Sequence, residues 1–505
     1  MSDTANLYDL FSNAAARAGD KPCLVEGSEI RLAYADLDMA TARRARALAA
    51  LGAKPGERIL LQVEKSIENV LLYLASLRAG LVYVPLNTAY TAAELDYFIG
   101  DAEPAIIVCD PAKEAAIAPL ADDAKVLTLD ADGQGSLAAL IAETEGEDFE
   151  TVARAPDDLA AILYTSGTTG VSKGAMLSHD NLASNALVLK DYWRWQPDDV
   201  LIHALPIYHL HGLFVALHLA LLGGSTVRFH RSFDTDAIIA DLPRSTVLMG
   251  VPTFYVRLAD HPELTSGTSA NMRLFISGSA PLLESTFADF ETKTGHRILE
   301  RYGMTEAGMI TSNPYDGDRV PGTVGFPLPG VSARVCDERG EEVERGEPGV
   351  LEIKGPNLFQ GYWKKPDKTE EEMRPDGYFV TGDIATMDAD GRVAIVGRAK
   401  DLIIAGGLNI YPKEIELALD AVPGVFESAV IGVPHPDLGE AVVAIIVRED
   451  EAVGESAILS AIETQLARFK QPRRVIFANA LPRNAMGKVQ KAKLREDHAE
   501  LFAAQ

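Results

Sequence analysis

Between residues 160 and 300 short apolar runs alternate with amphipathic ones, and few folds accept that order. AAILY, VLIHAL, TVLMG, MRLFIS and RILERYG have the length of buried strands, whereas HGLFVALHLALL, PTFYVRLA and LLESTFADFETKTG have the period of helices. The alternation implies an α/β fold built on a mostly parallel, doubly wound sheet, with ligands beyond the carboxyl ends of the strands. The first 150 residues repeat the pattern more weakly, in ENVLLYLASLRAG, LVYVPL, AELDYFIGD and AIIVCD, and read as a second packed layer of the same large domain. From about residue 320 to 395, VSARVCDERGEEV, GVLEIKGP and DADGRVAIVG read as short strands with Gly, Pro and Asp turns, a small β region. After GRAKDLIIAGGLNIYP the pattern becomes α+β: KEIELALDAV a helix, ESAVIGVP and EAVVAIIVRED strands, SAILSAIETQLARF a helix, RRVIFA a strand. This stretch is long enough to be its own domain. The boundary is expected near Arg398 to Asp401, giving a large domain over residues 1–398 and a C-terminal one over 399–505.

Charge and cysteine usage exclude several classes. Lys and Arg number 47 against 73 Asp and Glu, a net charge of −26. A field of that sign repels nucleic acid and anionic membrane, so anionic ligands must be drawn in by local clusters of positive charge. Cys23, Cys109 and Cys336 are far apart with no C-x-x-C pair, which suits a reduced compartment and argues against a cysteine-built zinc site. The N-terminus carries an Asp where a signal peptide needs positive charge, and the longest apolar run, LFVALHLALL, is too short to span a bilayer. A cytoplasmic enzyme, monomeric or weakly dimeric, is the expectation.

The loops after the strands carry the chemistry. YTSGTTGVSKGAMLSH, Tyr164 to His179, gathers hydroxyl residues and glycines around one lysine, Lys173. It is not the P-loop spacing, since Ser172 stands where a glycine and Gly174 where a Ser or Thr would be needed. The ingredients of a phosphate cradle are nonetheless present: backbone N–H groups freed by glycine, hydroxyl donors and one mobile cation. In RYGMTE, Arg301 to Glu306, Tyr302 can stack a base, Thr305 can bond a phosphate and Glu306 can hold Mg²⁺ against phosphate oxygens. SGSAPL (Ser277 to Leu282) lets a ligand approach backbone, TGD (Thr381 to Asp383) offers a carboxylate to a ribose diol, and PRNAMGKVQK presents Lys488 beside a glycine. Alone, each of these also fits an ordinary loop or turn.

Together, in this order, the loops resemble the acyl-adenylate-forming superfamily, which includes acyl-CoA synthetases, luciferases and peptide-synthetase adenylation domains. The match runs from about Leu163 to Lys491, with GLVYVPLNTAYTAAELDYFI as a looser companion. The resemblance implies a large N-terminal domain of packed sheets and a mobile C-terminal domain. It implies that Thr165, Ser166, Gly167, Thr168, Thr169, Gly170 and Lys173 cradle the ATP phosphates. Ser279, Ala280 and Tyr302 would line the adenine site with Gly303 and Met304 beside them, Thr305 would touch the α-phosphate and Glu306 would bind Mg²⁺. Asp383 and Arg398 would hold the ribose, and Lys488 would bridge carboxylate, phosphate and ribose oxygens. His209 would shape the acyl pocket and thiol entry, Lys400 would be the hinge, and AGGLNIYP, with Gly406, Gly407 and Leu408, would line the tunnel for coenzyme A. Ala405 departs from relatives that carry a polar residue there. Lys488 is also a candidate for regulatory acetylation by a lysine acetyltransferase.

Within the superfamily LYTSGTTGVSKGAMLSHDNLASN, HALPIYHLHGLF, MRLFISGSAPLL and LPRNAMGKVQK resemble malonyl-CoA synthetases, which implies malonate, ATP and coenzyme A as substrates. Methylmalonate or another short or aromatic acid, and a free-standing adenylation enzyme that loads a carrier protein, remain the alternatives. A malonate pocket must neutralise a second carboxylate that does not react. Arg273 is the expected cation, because on a strand it shares a face with Phe275 and Ser277; Ser277, Gly278 and His209 complete the expected acid pocket.

Overall fold

The computed structural model describes residues 5–165, 172–405, 408–436, 438–463, 465–484 and 487–502. The chain divides into two compact units, one of Met1–Pro321, Gly325–Ser332 and Lys354–Phe379, the other of Gly322–Val324, Ala333–Ile353 and Val380–Gln505.

The first unit is α/β and carries two sheets. In the nine-stranded sheet the order is Phe326–Pro327, Gly308–Ser312, Leu299–Met304, Leu274–Ser277, Val247–Gly250, Val200–His203, Thr226–Phe229, Pro22–Glu26 and Glu29–Ala33. The six strands from Leu299–Met304 to Pro22–Glu26 are parallel to one another. After Val200–His203 the chain first adds a strand on one side and then continues on the other, so the order reverses beside that strand. The crevice outside its carboxyl end is where a doubly wound sheet binds its ligand. The six-stranded sheet runs Lys125–Thr128, Ile106–Cys109, Arg58–Gln62, Val82–Pro85, Leu159–Thr165 and Lys173–Ser178, parallel except for the last pair. The weak alternation of the first 150 residues therefore builds most of a sheet of its own. Strands buried on both faces, such as Ile106–Cys109 and Leu274–Ser277, read as continuous apolar runs for that reason.

The run HGLFVALHLALL differs from the expected single α-helix. Its first part, His211–Leu217, is π-helical and only His218–Gly223 is α-helical. A Cβ on Gly212 would lie 2.1 Å from the Pro206 carbonyl oxygen, so the chain turns too tightly there for any side chain. His203 holds the turn: its Nδ1 faces the Lys65 ammonium at 2.9 Å, which leaves Nε2 to donate to the Gly212 carbonyl at 2.9 Å.

In the second unit Ser332–Cys336, Gly349–Lys354, Phe379–Met387 and Val393–Arg398 form a four-stranded sheet. A five-stranded sheet follows from Ile403–Ala405, Leu408–Ile410, Val425–His435, Gly439–Arg448 and Arg474–Ala478. Its long hairpin is buried on both faces: Val430, Val442, Ala444 and Ile446 pack with Ile415, Leu419, Ile458 and Ile462, while Ala429, Ile431, Val443 and Ile445 pack with Leu481 and Leu494. Helix Pro412–Asp420 also rests on strand Val393–Arg398, so the small sheet groups with the C-terminal segment and the expected boundary at 398/399 falls inside this unit. Among the described residues no helix is long and apolar enough to cross a membrane.

A buried ion pair ties the small sheet together. The fully buried Glu352 accepts from Arg334 Nε at 2.9 Å and Nη2 at 2.8 Å. Removing one partner strands the other charge, so Arg334→Ala should cost about 3–5 kcal/mol. Denaturant unfolding followed on the purified variant should show that loss.

Candidate active site

Two antiparallel hairpins sit at the edges of the parallel sheets, and the chemistry-bearing residues lie at their turns. In the first, Thr165 pairs with Lys173; Ser166, Gly167, Thr168, Thr169 and Gly170 lie outside the described residues. The following helix, His179–Tyr192, starts without a linker because Ser178 and Asn181 cap it reciprocally. In the second hairpin, Tyr302, Gly303 and Met304 end strand Leu299–Met304, and Thr305 and Glu306 occupy the turn back to Gly308–Ser312. Gly303 is required there, since a Cβ would come within 2.2 Å of the Gly308 carbonyl oxygen.

A segment carrying Tyr362 runs along both hairpins. Met176 N–H donates to the Gly361 carbonyl at 3.0 Å, Gln360 and Trp363 N–H donate to Met176 and Gly174 carbonyls at 2.8 Å, and Phe359 N–H donates to the Glu306 carbonyl at 2.8 Å. At the centre Lys173 Nζ lies 2.7 Å from Glu372 Oε1 and 3.9 Å from the Tyr362 ring centroid. The Tyr362 hydroxyl lies 2.7 Å from Glu372 Oε2 and 3.0 Å from Glu306 Oε1. Burial pushes the Glu306 carboxyl above the usual carboxylate range; the Tyr362 bond and the Lys173 charge oppose that, and the charge of Glu372 adds to it. Magnesium keeps most of its waters and takes one or two carboxylates beside substrate phosphates, a demand that Glu306 fits. Among the described residues no group of three or more His, Cys, Asp or Glu offers an alternative metal cage.

The second cluster lies at the carboxyl ends of Leu274–Ser277 and Leu299–Met304, whose register places Ser277 opposite Glu300. Arg301 is fully buried, and its Nε and Nη2 have no hydrogen-bond partner among the described residues. Its guanidinium lies against Gly278, where a Cβ would come 2.4 Å from Cζ. Ser277 Oγ and His211 Nε2 are buried and equally without a hydrogen-bond partner, and His211 Nδ1 faces Ser279 Oγ at 3.3 Å. Ser279 holds a left-handed φ of 72°, strain of the kind stored at binding turns. Burial lowers Arg301 to about 9, with Tyr255 opposing the shift. Burial first, and then the Arg301 charge, keeps His211 far below its usual value and so neutral. Half-buried His209 and Ala280 belong to the two loops of this cluster, His209 preceding His211 and Ala280 following Ser279.

Arg273 does not point here. It precedes strand Leu274–Ser277 at the amino end, about 13 Å along the strand from Ser277 at ~3.3 Å per residue. Its guanidinium grips Asp199, with Nε 2.7 Å from Oδ1 and Nη2 on Oδ2, and lies 5.3 Å over the Tyr315 ring. The strand period gives the face of a residue, not its end of the strand. Arg301, Tyr362 and Glu372 are the residues that sequence reasoning missed. A charged residue inside the buried run RILERYG was the available signal for Arg301.

Within the second unit Asp383 and Arg398 are register partners of adjacent strands, with Nε 2.6 Å from Oδ1. Lys400 is exposed in the short turn Ala399–Asp401, whose Asp401 accepts from Arg495 at 2.9 Å. Leu408 is exposed on its short strand, and Gly406 and Gly407 lie outside the described residues. Lys488 is exposed, its N–H bonded to Asn484 Oδ1 at 3.0 Å in a tight turn.

The loop lysine with the turn carboxylate, and the cluster around the buried Arg301, offer charged groups of the kind that hold anionic ligands. The AMP-binding enzyme family matches residues 11–363, and the AMP-binding enzyme C-terminal domain matches residues 414–488. The chain belongs to the AMP-binding enzymes, as an AMP-forming acyl-CoA ligase. A long-chain-fatty-acid–CoA ligase of Yersinia pestis is 33% identical over 540 residues, covering 98% of this chain and 95% of its own length. A malonate–CoA ligase of Arabidopsis thaliana is 35% identical over 480 residues, covering 88% of this chain and 78% of its own length. Among solved structures, ATP-bound MatB from Rhodopseudomonas palustris is 56% identical with a TM-score of 0.95, covering 99% of this chain and 100% of that one.

Gly278→Ala tests the second cluster directly, because the new methyl must displace the Arg301 guanidinium. Moving this buried charge should cost about 2–5 kcal/mol in kcat/KM for the acid. Steady-state kinetics should show that loss with the KM for ATP nearly unchanged.

Proposed function

We propose that the chain is a malonate–CoA ligase that forms malonyl-AMP and then malonyl-CoA. One observation carries the choice of acid: a buried guanidinium whose Nε and Nη2 have no partner among the described residues, beside a serine hydroxyl and the Nε2 of a neutral histidine that equally have none. A buried charge without a counter-ion costs several kcal/mol, and an anionic substrate group supplies the counter-ion. A dicarboxylate has one carboxylate to react and one to face Arg301; acetate has none to spare. The names of two relatives, MatB and a malonate–CoA ligase, support the same reading.

In the reaction so read, one malonate carboxylate oxygen attacks the α-phosphorus of ATP and pyrophosphate leaves. The thiolate of coenzyme A then attacks the acyl carbon and AMP departs. Both steps depend on aligning like charges, so positioning and electrostatics dominate. Lys173 would face phosphate oxygens, Thr305 the α-phosphate, and Tyr302, Gly303, Met304, Ser279 and Ala280 the adenine. A magnesium ion held at Glu306 would neutralise charge on the triphosphate. Asp383 and Arg398 would hold the ribose, Lys488 would oppose the carboxylate and phosphate during the first step, and His209 would border the thiol entrance. In this reading Lys400 is the hinge between a functional domain of residues 1–398 and one of 399–505, and Leu408 with Gly406 and Gly407 lines the thiol's path.

Malonate, methylmalonate, succinate and acetate should be screened for AMP release that requires coenzyme A. The reading expects malonate to lead; ADP as the product, or AMP release indifferent to the thiol, would refute it. Arg301→Met should lower kcat/KM for malonate by about 2–5 kcal/mol and leave acetate unchanged or improved. Lys488→Ala should slow malonyl-AMP formation by about 10²–10³-fold while sparing thioester formation from supplied malonyl-AMP, measured as separate half-reactions.

A further inference from the structure

Lys173 and Glu306 stand on different sheets, yet one small group of side chains joins them. Glu372 holds the Lys173 ammonium at 2.7 Å against the face of the Tyr362 ring, and the Tyr362 hydroxyl lies between the Glu372 and Glu306 carboxylates at 2.7 and 3.0 Å. The ammonium is nearly buried, with 9% of the Lys173 side chain exposed, so its position is set by these contacts and not by solvent. The backbone around them is fixed as well: Ala175 and Tyr362 form a β-bridge, and Asn357 Nδ2 donates to the Ala307 carbonyl at 2.6 Å, one residue after Glu306. Two anions and one cation leave this cluster with an excess negative charge, an odd composition for a phosphate site unless the second carboxylate has work of its own.

From this we infer that Glu372 and Tyr362 are a positioning pair for adenylate formation: Glu372 aims the Lys173 ammonium, and Tyr362 ties that aim to the carboxylate of Glu306. The inference rests on the reading of Lys173 as a triphosphate contact. A carboxylate so close to the phosphates repels them directly, so its benefit must come through the lysine it orients. Lys173 has three N–H donors, and spending one on Glu372 fixes where the other two point. The hydroxyl, with a single hydrogen between two carboxylates, makes the placing of one acid sensitive to the other.

A double-mutant cycle separates this from a structural role. Glu372→Gln keeps the shape and loses the charge; it should lower the rate of acid-dependent ATP–pyrophosphate exchange by about 10–100-fold, the scale of a misplaced reacting group. In a Lys173→Met background the same substitution should cost nothing further. Glu372→Asp, which keeps the charge on a shorter arm, should recover part of the loss. Tyr362→Phe keeps the ring under the ammonium and loses the tie to Glu306, so calorimetric binding of ATP should need several-fold more magnesium for half its effect. Equal losses from Glu372→Gln in both backgrounds, or an unchanged magnesium requirement in Tyr362→Phe, would overturn the inference. Melting temperatures identify a variant that has lost its fold, in which case the other variant decides. A wild-type protein that fails to bind ATP strikes the nucleotide reading itself; binding with a strictly additive cycle strikes only the pair.

Discussion

Residues 356–363 hold Lys173 and the turn carboxylate Glu306 at a fixed separation through backbone hydrogen bonds, and the arrangement depends on that brace. Lys173 belongs to the six-stranded sheet and Glu306 to a hairpin of the nine-stranded one, so neither sheet alone sets the distance between them. Asn181, in the helix that follows the first hairpin, donates to the Pro356 and Leu358 carbonyls at 2.8 Å and closes the brace from behind. The backbone bonds of the brace do not depend on most side chains, which leaves the side chains in between free to answer to chemistry.

The fold was legible in the chain because its strands follow a rule that sequence exposes. Parallel strands covered on both faces must be apolar without interruption, and AAILY, TVLMG and LFIS announce themselves that way. The long C-terminal hairpin was legible for the same reason. Less visible was the grouping of the small sheet with the C-terminal segment, which follows from a helix packed on Val393–Arg398 and leaves no local mark. The π-helical start of HGLFVALHLALL was invisible too, because it depends on a histidine at the end of another strand and a lysine from a distant loop.

The site shows the same division. Motif residues that lie close in sequence, such as Tyr302 to Glu306, could be placed from their loop alone. Arg273 and Arg301 could not be told apart by pattern, since each is an arginine in or beside an apolar run that forms a strand of the same sheet. What separates them is company: Asp199 grips one, and among the described residues none bonds the Nε or Nη2 of the other. A count of charges gives no hint of that difference, because pairing is a property of tertiary neighbours. Tyr362 and Glu372 escaped notice for a related reason, being far along the chain from every loop they serve.

The π-helical stretch at His211–Leu217 bears on how such a protein can change over time. A π-helix is an α-helix carrying one surplus residue, and the surplus is tolerated because neighbouring groups take up the displaced carbonyl, here Gly212. Deleting a single residue would let the helix relax to the ordinary pitch and rotate everything before it by about 100° at 3.6 residues per turn. His209 and His211 would then turn from their present positions while the buried helix His218–Gly223 kept its seat. One codon lost or gained at this place would thus reorient two histidines in a single step.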